Sequence, residues 1–390
     1  MKNRIIAYYL PQFHPIPEND KYWGPGFTEW TNVSQARPLF KGHYQPHIPA
    51  DLGFYDLRLP ETRVKQAELA REAGIEGFCY YHYWLGNGKK LLERPFEEVL
   101  ETGQPDFPFC LCWANHDWTT KTWKRSNGNV STKTMIAKQL YPGEQDYVDH
   151  FNYLLPAFCD KRYIKVDGKP LFLIHDPYNF ADVSHFMEVW RKLAKGNGFD
   201  GLYFVGVTNS TSTIKRQSDG NIQRVVPNLK SSKDVYNDII DLGFDGVNAF
   251  GKFRAEMIYT GKYKRVMQLL LRRFFSGLKV NTFEYKNVVK NFFAPEDVWE
   301  NVIPTIVPQW DRTPRVGSYD GVYVNATPEA FQRHVEDALA LISKKQPQHR
   351  ILMLRAWNEW GEGNYVEPDL KFGHGWLDAI RNALDKFERG

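Results

Sequence analysis

The sequence predicts an α/β protein, a (β/α)₈ TIM barrel with long loops after the strands at the C-terminal face. Three observations carry that expectation. Short runs rich in β-branched and aromatic residues alternate with longer segments whose apolar residues recur at i, i+3 and i+4, the pattern of parallel strands joined by helices. Eight such runs occur, one near each chain end, so the eighth can close on the first. The surplus of the 390 residues over the roughly 250 of a plain barrel falls after strands rather than after helices.

The strand candidates are Ile5–Phe13, Gly77–Tyr83, Phe109–Trp113, Leu171–His175, Leu202–Thr208, Gly246–Phe250, Thr305–Trp310 and Ile351–Trp357. Pro60-Glu61-Thr62 opens a helix, with proline in the first turn and acid at the positive end of the dipole, and the apolar pattern runs to Gly74. Further helices are expected near Phe96–Glu101, Gln145–Phe158, Val183–Ala194, Lys264–Phe275, Pro328–Ser343 and Trp376–Phe387. About 46 residues, 14–59, follow strand one, and long segments follow strands three, five and six. In a barrel these all emerge where active sites sit. One elaborated barrel over 1–390 explains the length better than two domains.

Composition narrows the function. Hydrophobic residues make up 42% and charged residues 25%, which excludes disorder. A net charge of +4 supplies no global field for nucleic acid. Aromatics reach 15%, and Trp and Tyr offer flat apolar faces with a polar tip, suited to stacking on sugars. Cys79, Cys110, Cys112 and Cys159 form no CxxC pair, and the first three lie in strand-like runs as buried thiols. The apolar run after Met1 stops at Pro11, a poor signal peptide, and no run of 18 apolar residues spans a membrane, so a cytoplasmic protein is expected.

The residues that carry chemistry cluster after strand eight: Arg355-Ala-Trp-Asn358-Glu359-Trp-Gly-Glu362-Gly-Asn364-Tyr-Val-Glu367. Two carboxylates this close suit glycosidic-bond chemistry, one giving a proton and the other acting as base or nucleophile. Crowding pushes their pKa values apart and so separates the roles. Other strand ends add polar groups on the same face: Gln12 and His14, His82, Asn115 and His116, His175 and Asp176, Asn209, Asn248 and Gln309. Trp30, Tyr44, Trp84, Trp113 and Trp310 are candidate stacking platforms. His43 and His47 lack the HExxH setting of a zinc site, Gly196–Gly201 spells GxGxxG in the wrong order for a dinucleotide, and no P-loop or Asp-x-Asp pair occurs, so neither metal nor cofactor is expected. The stretch Lys262–Lys279 reads as an outer helix with a basic solvent face; contact with an anionic membrane surface is its alternative.

Long strings give a resemblance. Tyr8-Tyr9-Leu-Pro-Gln12-Phe-His14, Trp23-Gly-Pro-Gly-Phe-Thr28-Glu29-Trp30, Gly42-His43-Tyr44-Gln45-Pro46-His47, Tyr80-Tyr81-His82-Tyr83-Trp84, Cys110-Leu-Cys-Trp113-Ala-Asn115, Trp310-Asp311-Arg312-Thr313-Pro314-Arg315 and the strand-eight segment are similar to the glycoside hydrolase family 99-like proteins of the WbsX type, often associated with O-antigen and capsule loci. That resemblance implies a (β/α)₈ barrel and puts catalysis on Glu359, as base on the sugar 2-hydroxyl, and Glu362, as acid/base at the leaving oxygen, with net retention. Sugar contacts are further expected at Tyr9, Arg315 and Asn358, and at Asp117, whose charge stands one position after the carboxylate that relatives carry. One departure stands out: relatives commonly carry Glu-Asn-Trp-Thr where this chain has His116-Asp117-Trp118-Thr119. The expected function is an endo-acting retaining hydrolase of a bacterial surface-type polysaccharide. The alternatives are a glycosyltransferase in O-antigen or capsule assembly and a carbohydrate-binding pseudoenzyme.

Overall fold

Strands covered on both faces are buried along their length, and these are, apart from the half-buried Arg4 and Lys169 at two strand starts. The structure, a computed structural model, describes residues 3–119, 134–208, 213–216, 222–225, 231–261, 281–317 and 321–389. Its barrel strands are β1 (Arg4–Tyr9), β2 (Gly77–Trp84), β3 (Phe109–Trp113), β4 (Lys169–Ile174), β5 (Tyr203–Thr208), β6 (Gly246–Ala249), β7 (Val302–Ile306) and β8 (Ile351–Leu354). Each pairs in parallel with the next. The ring closes where Arg4–Ala7 of β1 pair with Ile351–Leu354 of β8. It is a (β/α)₈ barrel.

The outer helices follow in turn: α1 (Pro60–Glu72), α2 (Arg94–Thr102), α3 (Glu144–Cys159), α4 (Val183–Gly196), α5 (Ser232–Asp241), α6 (Lys252–Thr260), α7 (Pro328–Ile342) and α8 (Gly375–Arg389). Helix α7 shows how the sequence starts one. Thr327 accepts a hydrogen bond from the Ala330 amide at 3.3 Å, and Pro328 fills the first position, where no N–H is needed.

The structure moves several expected boundaries. β1 ends at Tyr9 and β8 at Leu354, so Leu10–Phe13 and Arg355–Trp357 belong to the loops that build the mouth. β7 is Val302–Ile306 rather than Thr305–Trp310. Pro304 lies inside it opposite Ala249; a residue with no N–H for the ladder hides a strand from a sequence reading. Helices α5 and α6 and two short helices in the loop after β1, Pro17–Trp23 and Glu29–Gln35, were not expected. The expected helix Lys264–Phe275, the basic stretch Lys262–Lys279 around it and Asn209 lie outside the described residues. Cys79, Cys110 and Cys112 are buried free thiols, while Cys159 is exposed. Among the described residues no helix is long and apolar enough to cross a membrane.

On α7, His334 is buried against Phe292 and Phe293, at ring separations of 5.2 and 5.0 Å, and neither ring nitrogen has a hydrogen-bond partner. Burial lowers its pKa to about 3. The unfolded chain therefore binds a proton that the fold refuses, and stability is lost as pH falls from the ordinary histidine value of about 6.5 toward 3. His334→Phe is expected to stabilise the protein by about 1–3 kcal/mol, the cost of a buried unpaired polar group. The gain should grow as pH drops, which thermal unfolding at about pH 8 and pH 5 measures.

Candidate active site

The chain leaving β8 turns back on itself as a two-residue hairpin, Asn358–Glu359 against Asn364–Tyr365, with Trp360–Glu362 as its turn. Two glycines make the turn possible. A Cβ on Gly361 would lie 1.8 Å from Glu29 Oε1. Gly363 has φ +60°, and a Cβ there would meet the Asp311 amide at 2.8 Å, the same amide that donates to the Glu362 carbonyl at 2.8 Å. The hairpin thus seats Glu359 and Glu362 against loops from β1 and β7.

Arg315 sits at the centre. Its Nη1 donates to Glu362 Oε1 at 2.6 Å and to Glu359 Oε1 at 3.2 Å, and its Nε donates to Glu29 Oε1 at 2.9 Å. Arg312 Nε lies 3.0 Å from Glu362 Oε1. All three carboxylates are buried. Glu29 opens the helix Glu29–Gln35, whose first amide donates to the Gln12 carbonyl at 3.0 Å.

Three acids around one buried guanidinium cannot ionise alike. Burial alone would raise Glu362, yet Arg312, Arg315 and Arg355 hold it down to about 2. Burial and the Glu362 charge raise Glu359 against Arg315 and Arg355. Burial raises Glu29 to about 7 against Arg315. Burial and crowding thus push Glu359 up while the arginines hold Glu362 down, the reverse of the order that the resemblance implies. Glu359 Oε2 and Glu29 Oε2 are buried without hydrogen-bond partners.

These groups open on a cavity of about 350 Å³. Of the expected residues, Gln12, His116, Asp117, His175, Trp310, Arg315, Glu359 and Glu362 line it. Arg355 of the strand-eight segment joins them, as do Tyr81, Tyr83, Trp118 and Arg312, for which the sequence suggests no separate role, and Glu29 stands behind Arg315. Trp310 also borders a second cavity of about 260 Å³, where Lys371 Nζ lies 4.6 Å from the Tyr44 ring.

Other expected contacts face away, and strand alternation explains most of them. Tyr9 points out to α1 and donates to Gln66 at 2.6 Å; its neighbour Tyr8 points in, stacks on Tyr81 at 5.3 Å and donates to Asn248 at 2.7 Å. On β2 the inward pair is Tyr81 and Tyr83. His82 meets His150 of α3, nitrogen to nitrogen, at 2.8 Å, and Trp84 stacks on that histidine at 4.6 Å. Trp113 packs between His150 and Phe186, and Trp30 between Phe13, Tyr55 and Trp360. His14 is buried beside its own loop, 3.2 Å from the Pro15 carbonyl.

A third group is framework. Asn358 exchanges two hydrogen bonds with the Leu10 backbone at 2.8 and 3.0 Å, tying the hairpin to the exit of β1. Asn115 does the same for Asp176, at 2.7 and 2.8 Å. His43 and Gln45 donate to Asp311 at 2.7 and 2.6 Å, and His47 meets Tyr365 at 2.9 Å. Glu367 accepts from Gln66, Tyr55 and Trp360 at 2.6, 2.9 and 2.6 Å.

The family described as Glycosyltransferase WbsX matches residues 5–380, nearly the whole chain. The chain belongs to the WbsX family. WxcX of Xanthomonas campestris pv. campestris, an uncharacterized protein, is 33% identical over 386 residues, in strain B100 and again in strain ATCC 33913. That match takes in 98% of this WbsX-family chain but 50% of WxcX, so the chain spans about half the length of the curated relatives it matches. Among solved structures, the GH99 endo-alpha-mannosidase of Bacteroides thetaiotaomicron shares the fold at TM-score 0.56 and 15% identity, covering 100% of this chain and 98% of that one. A glycoside hydrolase-like protein gives 0.57 at 14%, covering 98% and 94%.

Two outcomes test the site's construction. Gly361→Ala drives a methyl into the Glu29 carboxylate, and is expected to destabilise the fold by about 2 kcal/mol or more in denaturant unfolding. Burial raises Glu367 to about 7 against its three hydrogen bonds, so the fold holds a proton that the unfolded chain has released above the ordinary value of 4.5. Stability should therefore fall as pH rises from 4.5 through 7, by about 3 kcal/mol, and Glu367→Gln should flatten that slope.

Proposed function

We propose that this chain acts on glycans as a retaining, endo-acting glycoside hydrolase, with Glu359 and Glu362 as its acid–base pair. The observation that carries the reading is the pair itself: two buried carboxylates on one arginine nitrogen, at the C-terminal mouth of a barrel, with their pKa values driven apart. Such a split lets one group donate a proton while the other accepts one at the same pH. Sharing a nitrogen also brings them closer than the roughly 6.5–9.5 Å of an inverting pair, which must admit a water between them. That favours retention.

The substrate class follows from the space. The central cavity adjoins the Tyr44 cavity through Trp310 and a third, of about 200 Å³, through His175 and Arg355. Three spaces that share walls suit several sugar units of an oligo- or polysaccharide better than one terminal sugar. The resemblance to O-antigen and capsule proteins, and the fold shared with an endo-alpha-mannosidase, point the same way.

The resting site favours Glu359 as proton donor and Glu362 as base. The reverse order requires a bound sugar to draw the part-exposed Arg312 from Glu362 first. The family description favours a second reading, transfer, in which an acceptor hydroxyl replaces water at the same pair.

The test incubates the protein with bacterial capsule and O-antigen polysaccharides and follows reducing ends, without activated sugars. Release is expected, and both Glu359→Gln and Glu362→Gln should lower it by about 10²–10⁴-fold. An aryl glycoside with a good leaving group should rescue only the variant that lacks the donor: Glu359→Gln in the resting order, Glu362→Gln in the reverse. Undiminished release by both variants overturns the pair, and product formed only when a sugar nucleotide is added moves the reading to transfer.

A further inference from the structure

Arg355 differs from the two arginines beside it. Arg312 and Arg315 are taken up by the site's carboxylates. Among the described residues Arg355 makes no ion pair, and its Nε is buried without a hydrogen-bond partner. Its guanidinium lies over the rings of Phe250 at 4.9 Å and Tyr8 at 5.7 Å. Rings covering its planar faces leave the edge, where the N–H donors are, for a partner.

Arg355 faces the central cavity on one side and the cavity of about 200 Å³ on the other. The smaller one is lined also by His175, Asp176, Tyr178, Val207, Thr208 and Phe250. Among the described residues of its wall, the charge that could rival a ligand is Asp176, whose Oδ1 accepts from the amides of Tyr178 and Asn179 at 3.2 and 3.3 Å, capping its own turn. Tyr178 and Thr208 join hydroxyls at 3.2 Å and set a polar edge beside the arginine. On the other side, Glu359 and Glu362 are held by Arg315.

A half-buried guanidinium with no fixed counter-ion, turned toward a cavity, is a ready partner for an arriving anion. We infer that Arg355 receives an anionic group of the substrate, a carboxylate or a phosphate, in the small cavity next to the Glu359–Glu362 pair. The fork of N–H donors matches either group with two parallel hydrogen bonds. The substrate on this reading is a charged glycan or a phosphate-bearing sugar, not a neutral chain. Only the identity of the molecule that carries the anion rests on the function proposed above; capture of the anion is read without turnover.

The experiment uses the whole chain labelled with ¹⁵N-arginine. The Arg355 Nε resonance is assigned by its absence from Arg355→Lys. Glucuronate, inorganic phosphate, glucose and chloride at matched ionic strength are titrated in turn. Glucuronate or phosphate is expected to shift that resonance to saturation, while glucose and chloride leave it in place. In Arg355→Gln, affinity measured by calorimetry should fall about tenfold or more. Saturation by glucuronate alone assigns an acidic sugar, and saturation by phosphate alone assigns a phosphorylated one; both support the inference. No response to either anion, an equal response to chloride, or unchanged affinity in a folded Arg355→Gln overturns it. Should that variant not fold, the titration of the unmodified chain decides. A protein that releases no reducing ends yet binds the anion would lose the hydrolase reading and keep this one.

Discussion

Arg315 is the constraint on which the site depends. A buried guanidinium must find partners, and this one finds three carboxylates brought by three loops: Glu29 after β1, and Glu359 and Glu362 after β8, while Arg315 itself follows β7. Each charge is costly to bury alone and tolerable together. Burial raises Glu29 to about 7 even beside Arg315, so this acid is partly protonated near neutral pH. The split between Glu359 and Glu362 comes from where Arg312 stands: it approaches Glu362 and leaves Glu359 to share Arg315.

The framework around the pair carries no chemistry of its own but sets its aim. Asn358 binds the hairpin to Leu10, Asp311 gathers His43 and Gln45, and Glu367 fastens Gln66, Tyr55 and Trp360. Beneath them Tyr8, Asn248 and Thr305 form a hydrogen-bonded floor across the barrel, with Tyr8 to Asn248 at 2.7 Å and Asn248 to Thr305 at 3.0 Å. The many aromatic residues turn out to serve mainly here and under the helices. Of the platforms the composition suggests, Tyr44 and Trp310 border open space, whereas Trp30, Trp84 and Trp113 are packing.

Much of the barrel was legible because a strand buried on both faces has few spellings. Phe109–Trp113 reads residue for residue, and the other strands differ mainly at their ends. The carboxylate pair was legible too, since its glycine-rich setting cannot be an exposed helix. What escaped was orientation and distance. Tyr9 and His82 stand one position from residues that do point inward, Tyr8 and Tyr81, and an unbroken aromatic run carries no mark of its parity. Glu29 escaped for another reason: it meets Arg315 across 286 residues of sequence, and the nearest local trace of that contact is the glycine at 361, which makes room for it.

That long reach has a consequence for the life of the chain. Glu29 is synthesised long before the hairpin bearing Glu359 and Glu362, so the acids and the arginine that balances them have no common place until β8 closes on β1. Until then the early loop holds a carboxylate with nothing to answer it. The charge cluster is thus assembled only as the barrel closes, and a half-made barrel carries its acids and their arginine apart.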